Sequence, residues 1–227
     1  MIQLTRGGVL CSGSADRLQE LQSEFAERHC IVLPQFLDPG LLTLIQRHLE
    51  RAEFYELAHE DIRAESCMAN NHLSGLLQLL TNTQELFQTL ERITGCGRIG
   101  QFQGRIYRMI PGGGHFDSWH TDLGPGLVRF LGLSVNLGAE LFSGGVFQLR
   151  ERGGGPIRCE VANTGRGDAL LFQLAPNLSH RITALEGAVA KIALAGWFHP
   201  QPPGHPLVRA GAQGSLADFE EAGSVRQ

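Results

Sequence analysis

The stretch FLGLSVNLGAELFSGGVFQLR, residues 130–150, decides which fold this chain is expected to adopt. Two short runs rich in apolar residues flank a segment of glycine and polar residues, which is typical of short strands joined by tight turns. Comparable runs continue on both sides, at 105–110, 157–163, 168–174, 180–185 and 191–198. The intervals between them are too short for the helices that parallel strands need. The pattern therefore predicts an antiparallel double sheet or barrel.

The residues before Gly95 have a different texture and predict helices. Leu18, Leu21 and Phe25 recur at the spacing that places apolar side chains on one face of a helix. Asp38 fits the N-cap position of a second helix, and Pro39 fits its first turn. We expect helices at 14–29, 38–57 and 74–94, the last as one helix or two, and a short strand at 31–36.

These patterns divide the chain into three parts of a single domain. Residues 1–98 are expected to form a helical support region that packs on the core, and residues 99–200 are expected to form the β core itself. Residues 201–227 are polar and irregular, so we expect a C-terminal tail or flap with at most one short helix.

The bulk composition excludes several classes of protein. The chain has 227 residues, of which 42% are hydrophobic and 19% are charged, as in an ordinary globular protein. Its net charge of −4 gives no basic footprint for nucleic acid or for an anionic membrane surface. No apolar run approaches the roughly 20 residues of a membrane span. We therefore expect no nucleic-acid partner and no membrane partner.

The cysteines and the N-terminal residues indicate a cellular compartment. The five cysteines are scattered, odd in number and without a C-x-x-C pair, which predicts reduced thiols in a cytoplasmic protein. The first residues, MIQLTRGGVLCSGS, contain no hydrophobic segment typical of a signal peptide. The expected localisation is therefore the cytoplasm.

A candidate metal site lies in SWHTD, residues 118–122. Alternate residues of a strand point to the same side, so His120 and Asp122 can present an imidazole and a carboxylate to one ion. His115 and Asp117 have the same spacing five residues upstream, and the spacing alone does not decide between the two pairs. A third ligand is available from His180 in LSHRITAL. Two imidazoles and one carboxylate form the facial triad of non-heme Fe(II) oxygenases, although they also suit Zn²⁺ with an open fourth position.

The order of the residues around this site carries a family resemblance. Arg129 follows Asp122 by seven residues, and then come the strand that bears Asn136, the segment GDALLF at 167–172, His180, Lys191 and GWF at 196–198. This series resembles the 2-oxoglutarate- and Fe(II)-dependent dioxygenases, specifically the prolyl-4-hydroxylase-like branch, over roughly residues 99–200. The resemblance implies a mainly β fold with N-terminal helices and a double-stranded β-helix core, also called a jelly-roll or cupin-like core.

The same resemblance selects one of the two His-x-Asp pairs. In the family pattern, the aspartate precedes the arginine and the strand with the asparagine by a fixed short interval. Asp122, Arg129 and Asn136 fit this interval, whereas Asp117 would need an insertion of five residues. The resemblance therefore implies His120, Asp122 and His180 as the iron ligands.

Lys191 and Tyr107 are the expected ligands of the co-substrate. The family's 2-oxoglutarate carries a distal carboxylate that is held in a buried pocket, where an isolated charge would be very costly without a cation. Alternation along AKIALAGWF places Lys191, Ala193, Ala195 and Trp197 on one side of a strand. Tyr107 is expected to donate a further hydrogen bond, although it stands thirteen residues before His120, farther than is usual in the family.

The resemblance implies a reaction and its cofactors. We expect Fe(II), 2-oxoglutarate as co-substrate and O₂, with ascorbate as an accessory reductant, and succinate and CO₂ as co-products. The substrate would be hydroxylated at an unactivated C–H, or desaturated or cyclised. Relatives that chlorinate carry a small residue in place of the carboxylate, so the presence of Asp122 favours hydroxylation or these related outcomes.

Three alternatives remain open from the sequence. The chain is expected to act on a small molecule or an amino-acid derivative, and the first alternative is a prolyl or other protein-residue hydroxylase. The second is a zinc hydrolase, which would leave Lys191 unexplained and for which no general-base motif is present. The third is a non-catalytic jelly-roll module that binds a metal or another ligand.

Overall fold

The computed structural model describes residues 2–60, 62–162 and 165–202, which form four helices and fifteen strands. The helices are α1 (Ala15–Arg28), α2 (Pro39–Leu49), α3 (His72–Thr81) and α4 (Gln84–Thr94). The strands are β1 (Ile2–Thr5), β2 (Gly8–Cys11), β3 (Cys30–Leu33), β4 (Phe54–His59), β5 (Arg63–Met68), β6 (Ile99–Met109), β7 (Phe116–His120), β8 (Leu131–Asn136), β9 (Ser143–Gly144), β10 (Phe147–Glu151), β11 (Ile157–Val161), β12 (Ala169–Gln173), β13 (Leu178–Ile182), β14 (Leu185–Glu186) and β15 (Lys191–Pro200). The predicted tail lies outside the described residues from residue 203 onward.

Eleven of these strands form one antiparallel sheet that winds into a nearly closed barrel. The hydrogen-bonded order is β11-β10-β13-β7-β5-β6-β15-β8-β12-β3, with β4 paired to β5. The longest contact joins β15 to β6, with partners from Lys191–Met109 to Pro200–Ile99. Because strands distant in the chain alternate in this order, the barrel is a jelly roll, and the predicted fold class is confirmed.

The helices pack outside the barrel through apolar stripes. Ser14, Asp38, Asn71 and Thr83 cap the N-termini of α1, α2, α3 and α4, respectively, by accepting backbone N–H groups of the first turn. The caps at Asn71 and Thr83 explain why the predicted segment 74–94 forms two helices. Leu86, Leu90 and Ile93 of α4 are buried in the main core. None of the described helices is long and apolar enough to cross a bilayer.

The helix predicted at 38–57 ends early. It stops at Leu49, and Phe54–His59 instead form β4, which pairs with β5 along its whole length. β1 and β2 form a second hairpin that the helical expectation missed. Local periodicity does not reveal strands that form because they pair with distant parts of the chain. β5 is such a strand, since it also pairs with β6 and β7 of the core. The division at residue 98 stays a prediction, and strands from both sides of it share one sheet.

A disulfide joins the two end strands of the barrel. Cys30 lies on β3 and Cys159 on β11, which stand at opposite ends of the strand order, and the two residues are bonded. The prediction of reduced thiols is therefore wrong for this pair, because the fold brings together two cysteines 129 residues apart. Disulfides are more typical of oxidising compartments than of the cytosol, so the cytoplasmic localisation stays a prediction.

Removing this disulfide is expected to destabilise the protein by roughly 2–5 kcal/mol, because it closes a long loop of the unfolded chain. The double variant Cys30→Ala/Cys159→Ala should unfold at a lower temperature in a thermal melt. Reduction of the unmodified protein should produce the same loss, which separates the bond from the truncation of buried side chains. Cys11→Ser, at an exposed free cysteine, is the control. Equal melting temperatures in oxidising and reducing buffer would contradict the prediction.

Candidate metal centre

Three polar side chains converge where β7 meets β13. His120 is the last residue of β7, Asp122 follows two residues later, and His180 lies on β13 directly opposite His120. One donor atom from each residue lies within 4.8 Å of the other two. His180 Nε2 is 3.2 Å from Asp122 Oδ2, and His120 Nε2 is 3.5 Å from Asp122 Oδ1. Strand pairing therefore brings together residues that are sixty positions apart in the chain.

The two imidazoles are held with defined orientations. His120 Nδ1 lies 2.7 Å from the carbonyl oxygen of Ser118, to which it donates. Its Nε2 lies 2.7 Å from Arg63 Nη2, and a guanidinium only donates, so Nε2 accepts and this ring is neutral. Burial lowers the pKa of His120, but the neighbouring Asp122 and Asp117 outweigh it and raise the pKa overall. Burial lowers the pKa of His180, which is only 4% exposed and packs on Phe172.

Asp122 is held in its ionised form by several partners. Burial alone would raise its pKa, but the neighbouring His120 and His180 side chains and the charge of Arg63 bring the pKa far below its usual range. Trp197 donates from Nε1 to Asp122 Oδ2 at 2.7 Å. Arg129 donates to the backbone oxygen of Asp122 at 2.6 Å and stacks on the Trp197 ring, with its guanidinium carbon 3.8 Å from the ring centroid. The carboxylate is thus fixed in orientation before any ion binds.

Trp197→Phe is expected to weaken metal binding by about 10–100-fold, because the substitution removes the indole N–H that orients Asp122. Phenylalanine keeps an aromatic surface for Arg129, so packing changes little. Titration of the purified variant with Mn²⁺ would measure the change. A dissociation constant equal to that of the unsubstituted protein would show that this hydrogen bond does not position the carboxylate.

The upstream pair, His115 and Asp117, does not form a second site. His115 Nδ1 accepts the backbone N–H of Ile110 at 2.9 Å, and its Nε2 lies 2.8 Å from a carboxylate oxygen of Glu56. Asp117 instead supports the first pair, since its Oδ1 lies 3.2 Å from His120 Nδ1. Across residues 2–60, 62–162 and 165–202, the one group arranged as a metal site is His120, Asp122 and His180.

Lys191 lies in the barrel interior, where the alternation along β15 predicts it. It is 6% exposed, and its Nζ is 5.7 Å from the Tyr107 ring centroid and 5.9 Å from that of Phe142. No carboxylate of the described residues forms an ion pair with it. It is also the single lysine of the 227-residue sequence. A buried cation without an acidic partner is costly, so the space around Lys191 is suited to an anion.

Two adjoining cavities lie beside the triad and the lysine. The larger is lined by Asp122, His180, Tyr107 and Trp197 among others. The smaller is lined by Lys191, Ala193 and Asn136. Ser134, Phe147 and Ile182 line both, so the two cavities share a wall inside the barrel. Ala193 and Ala195, the small residues of β15, leave this space between Lys191 and Trp197.

Three charged residues of the larger cavity were not anticipated from the sequence. Arg63 and Glu65 lie on β5, and Arg105 lies on β6. Glu65 is 3% exposed and accepts a hydrogen bond from Arg105 Nε at 3.1 Å. The spacing of Arg63 and Glu65 is a local signal that the two side chains share one face of a strand. It points to the cavity only when β5 is known to lie beside β7.

The donor set fits a divalent ion of the iron type. Two imidazole nitrogens and one carboxylate oxygen lie within 4.8 Å of one another, and Asp122 and His180 also line the cavity. The carboxylates of Asp122 and Asp117 lie beside the imidazoles, Asp122 Oδ2 at 3.2 Å from His180 Nε2 and Asp117 Oδ1 at 3.2 Å from His120 Nδ1, and their negative charge suits the site to a cation. This arrangement is the 2-His-1-carboxylate pattern that leaves coordination positions open.

Solved structures share this fold. A Pseudomonas putida prolyl-4-hydroxylase aligns with a TM-score of 0.63 at 18% identity over 81% of this chain and 99% of its own. A Trichoplax adhaerens prolyl hydroxylase, in complex with a peptide fragment of the hypoxia inducible factor oxygen degradation domain, aligns with a TM-score of 0.59 at 14% identity over 83% and 94%. SnoN, a non-heme alpha-ketoglutarate-dependent epimerase from nogalamycin biosynthesis, aligns with a TM-score of 0.58 at 14% identity over 88% and 91%.

These likenesses define the class of fold. The chain has the double-stranded β-helix fold that is seen in 2-oxoglutarate-Fe(II) oxygenases, including the prolyl-hydroxylase branch expected from the sequence. No protein-family model matches the sequence, and a search of curated proteins finds no match. With identities below 20%, the similarity shows the fold alone.

Proposed function

We propose that this protein is a non-heme Fe(II)- and 2-oxoglutarate-dependent dioxygenase. The observation that carries the proposal is the pairing of two features in one barrel. A triad of two histidines and one aspartate lies at one cavity, and the single lysine of the chain lies, without an acidic partner, in the adjoining one. A zinc hydrolase would use the first feature and leave the second unexplained.

His120, Asp122 and His180 would hold the iron. Iron supplies the oxidative chemistry when bound, with O₂ and 2-oxoglutarate consumed and succinate and CO₂ formed. The protein's own contribution is to fix the orientation of the ligands, through Ser118 and Trp197. Phe147 and Phe172 pack on His180 and limit the access of water to that ligand.

Lys191 would bind the distal carboxylate of 2-oxoglutarate. A lysine recognises a carboxylate as a point charge, and burial strengthens the attraction because solvent screening is reduced. The Tyr107 ring lies beside the ammonium group, and its hydroxyl is available as a second donor to the same carboxylate. Tyr107 pairs with Ala193 across β6 and β15, which places it next to Lys191 despite its unusual distance from His120 in the sequence.

We propose a small molecule or an amino-acid derivative as the substrate, which would be hydroxylated, desaturated or cyclised at an unactivated C–H. The cavity at the triad lies inside the barrel and is lined by Tyr107, Phe172 and Trp197, a lining that suits a compact ligand. The protein-residue alternative rests on the peptide-bound neighbour, and the small-molecule proposal on SnoN, which was crystallised with a nogalamycin compound. Screening peptides and small molecules for stimulation of succinate formation separates the two.

The decisive experiment measures turnover of 2-oxoglutarate. Purified protein, reconstituted anaerobically with Fe(II) and then exposed to air, should convert 2-oxoglutarate to succinate, and ascorbate should prolong the activity. A zinc hydrolase would not consume 2-oxoglutarate under these conditions. A binding module would bind metal and 2-oxoglutarate without forming succinate, and either outcome would refute the proposal.

A further inference from the structure

Arg63 stands where a metal ion would have to approach the triad. Its Nη2 lies 2.7 Å from His120 Nε2 and 3.7 Å from Asp122 Oδ1, and its side chain is 14% exposed. His120 Nε2 has one lone pair, and that lone pair already accepts from the guanidinium. An ion bound to the same nitrogen at about 2.0–2.2 Å would overlap with Arg63, so the two cations exclude each other at this position.

A second acidic partner is placed to receive the displaced guanidinium. Arg63 Nε lies 3.4 Å from Asp117 Oδ1, and the two residues are cross-strand partners of β5 and β7. The backbone is fixed here, since Ser118 N–H donates to the carbonyl oxygen of Ile62 at 2.8 Å. The Arg63 side chain therefore contacts the triad on one side and Asp117 on the other. If the contact with the triad is lost, the contact with Asp117 remains.

The charge of Arg63 also balances the two carboxylates beside the triad. Asp122 and Asp117 have side chains that are only 11% exposed, and two such carboxylates without a cation would be costly. The guanidinium is always charged, and it lies 3.4 Å from Asp117 and 3.7 Å from Asp122. Arg63 thus neutralises negative charge beside the triad.

We propose that Arg63 is a built-in competitor of the metal ion, which holds the triad preformed in the metal-free protein and must be displaced toward Asp117 when metal binds. The inference rests on the metal site of the proposed function and adds a regulator of its affinity. Its consequence is an affinity weaker than the three ligands alone would give, because binding of the ion breaks a contact and keeps a cation nearby.

The test is a titration of the metal-free protein with Mn²⁺, a divalent ion that is stable in air, and the binding is measured by calorimetry. Arg63→Gln is expected to bind Mn²⁺ about tenfold more tightly or better, because a nearby cation and competitor is removed. The same variant should melt at a lower temperature without metal and show a larger upward shift when Mn²⁺ is added. Arg158→Gln is the matched control, since Arg158 pairs with Glu151 at the surface and does not line this cavity, and the affinity of this variant should stay near that of the unsubstituted protein.

A second variant keeps the inference testable if Arg63→Gln does not fold. Asp117→Asn removes the carboxylate toward which Arg63 moves, so this substitution should weaken Mn²⁺ binding. The same substitution should have a smaller effect in a chain that also carries Arg63→Lys, because a lysine lacks the guanidinium and contacts Asp117 more weakly. Unchanged or weaker Mn²⁺ binding by folded Arg63→Gln overturns the inference, as does unchanged binding by Asp117→Asn. His180→Ala reports on the site itself, and if it binds Mn²⁺ as the unsubstituted protein does, the proposed metal site fails together with the inference.

Discussion

Asp122→Ala is expected to reduce Fe(II)-dependent succinate formation to the background of a reaction without protein. The substitution removes the single anionic ligand of the triad and leaves two neutral imidazoles, which hold a divalent ion poorly. It also leaves Arg63 without one of its two carboxylate partners. His120→Ala and His180→Ala should have the same outcome, because each removes one of three donors that converge from different strands.

The matched control for this series is His115→Ala. This residue has the same His-x-Asp spacing, yet its two ring nitrogens contact the backbone of Ile110 and the side chain of Glu56 rather than the triad. It should retain most of the activity. Succinate formation and bound iron would be measured on the same samples, so that loss of metal is distinguished from loss of turnover. Full activity in Asp122→Ala would refute the assignment of the metal ligands.

Lys191→Ala is expected to raise the concentration of 2-oxoglutarate needed for half-maximal activity by about 100-fold or more. Removing one partner of a buried ion pair costs roughly 3–5 kcal/mol, and each 1.4 kcal/mol corresponds to a factor of ten. The maximal rate at saturating 2-oxoglutarate should change less, because the triad lies in the adjoining cavity. Lys191→Arg keeps the charge and should recover part of the affinity. An unchanged saturation curve for Lys191→Ala would remove Lys191 from the co-substrate site.

The single lysine allows the same contact to be tested without turnover. Lysine labelled with ¹³C at the ε-carbon should give one side-chain resonance in the NMR spectrum, because the sequence contains only Lys191. Addition of 2-oxoglutarate should shift this resonance, whereas succinamide, a smaller neutral compound, should not. A resonance that does not respond to 2-oxoglutarate would show that the carboxylate binds elsewhere.

The core strands were predictable because their signal is local. Short apolar runs between glycines indicated the strands from 105 to 198, and alternation correctly placed Lys191, Ala193 and Trp197 toward the barrel interior. The N-terminal part was predicted less well. β4 and β5 are strands because they pair with each other and with β6 and β7, and such long-range pairing leaves no period in the local sequence.

The sequence by itself predicted the kind of fold and the lysine, because apolar runs and alternation along a strand dictate which side chains share a face, and its resemblance to a known family predicted the three donor residues. Only the tertiary structure decided what surrounds them. It joined Cys30 to Cys159, placed the indole of Trp197 against Asp122 and brought Arg63 to the triad. These contacts depend on which strands become neighbours in the barrel, and that choice is made by the packing of the whole chain rather than by any short segment.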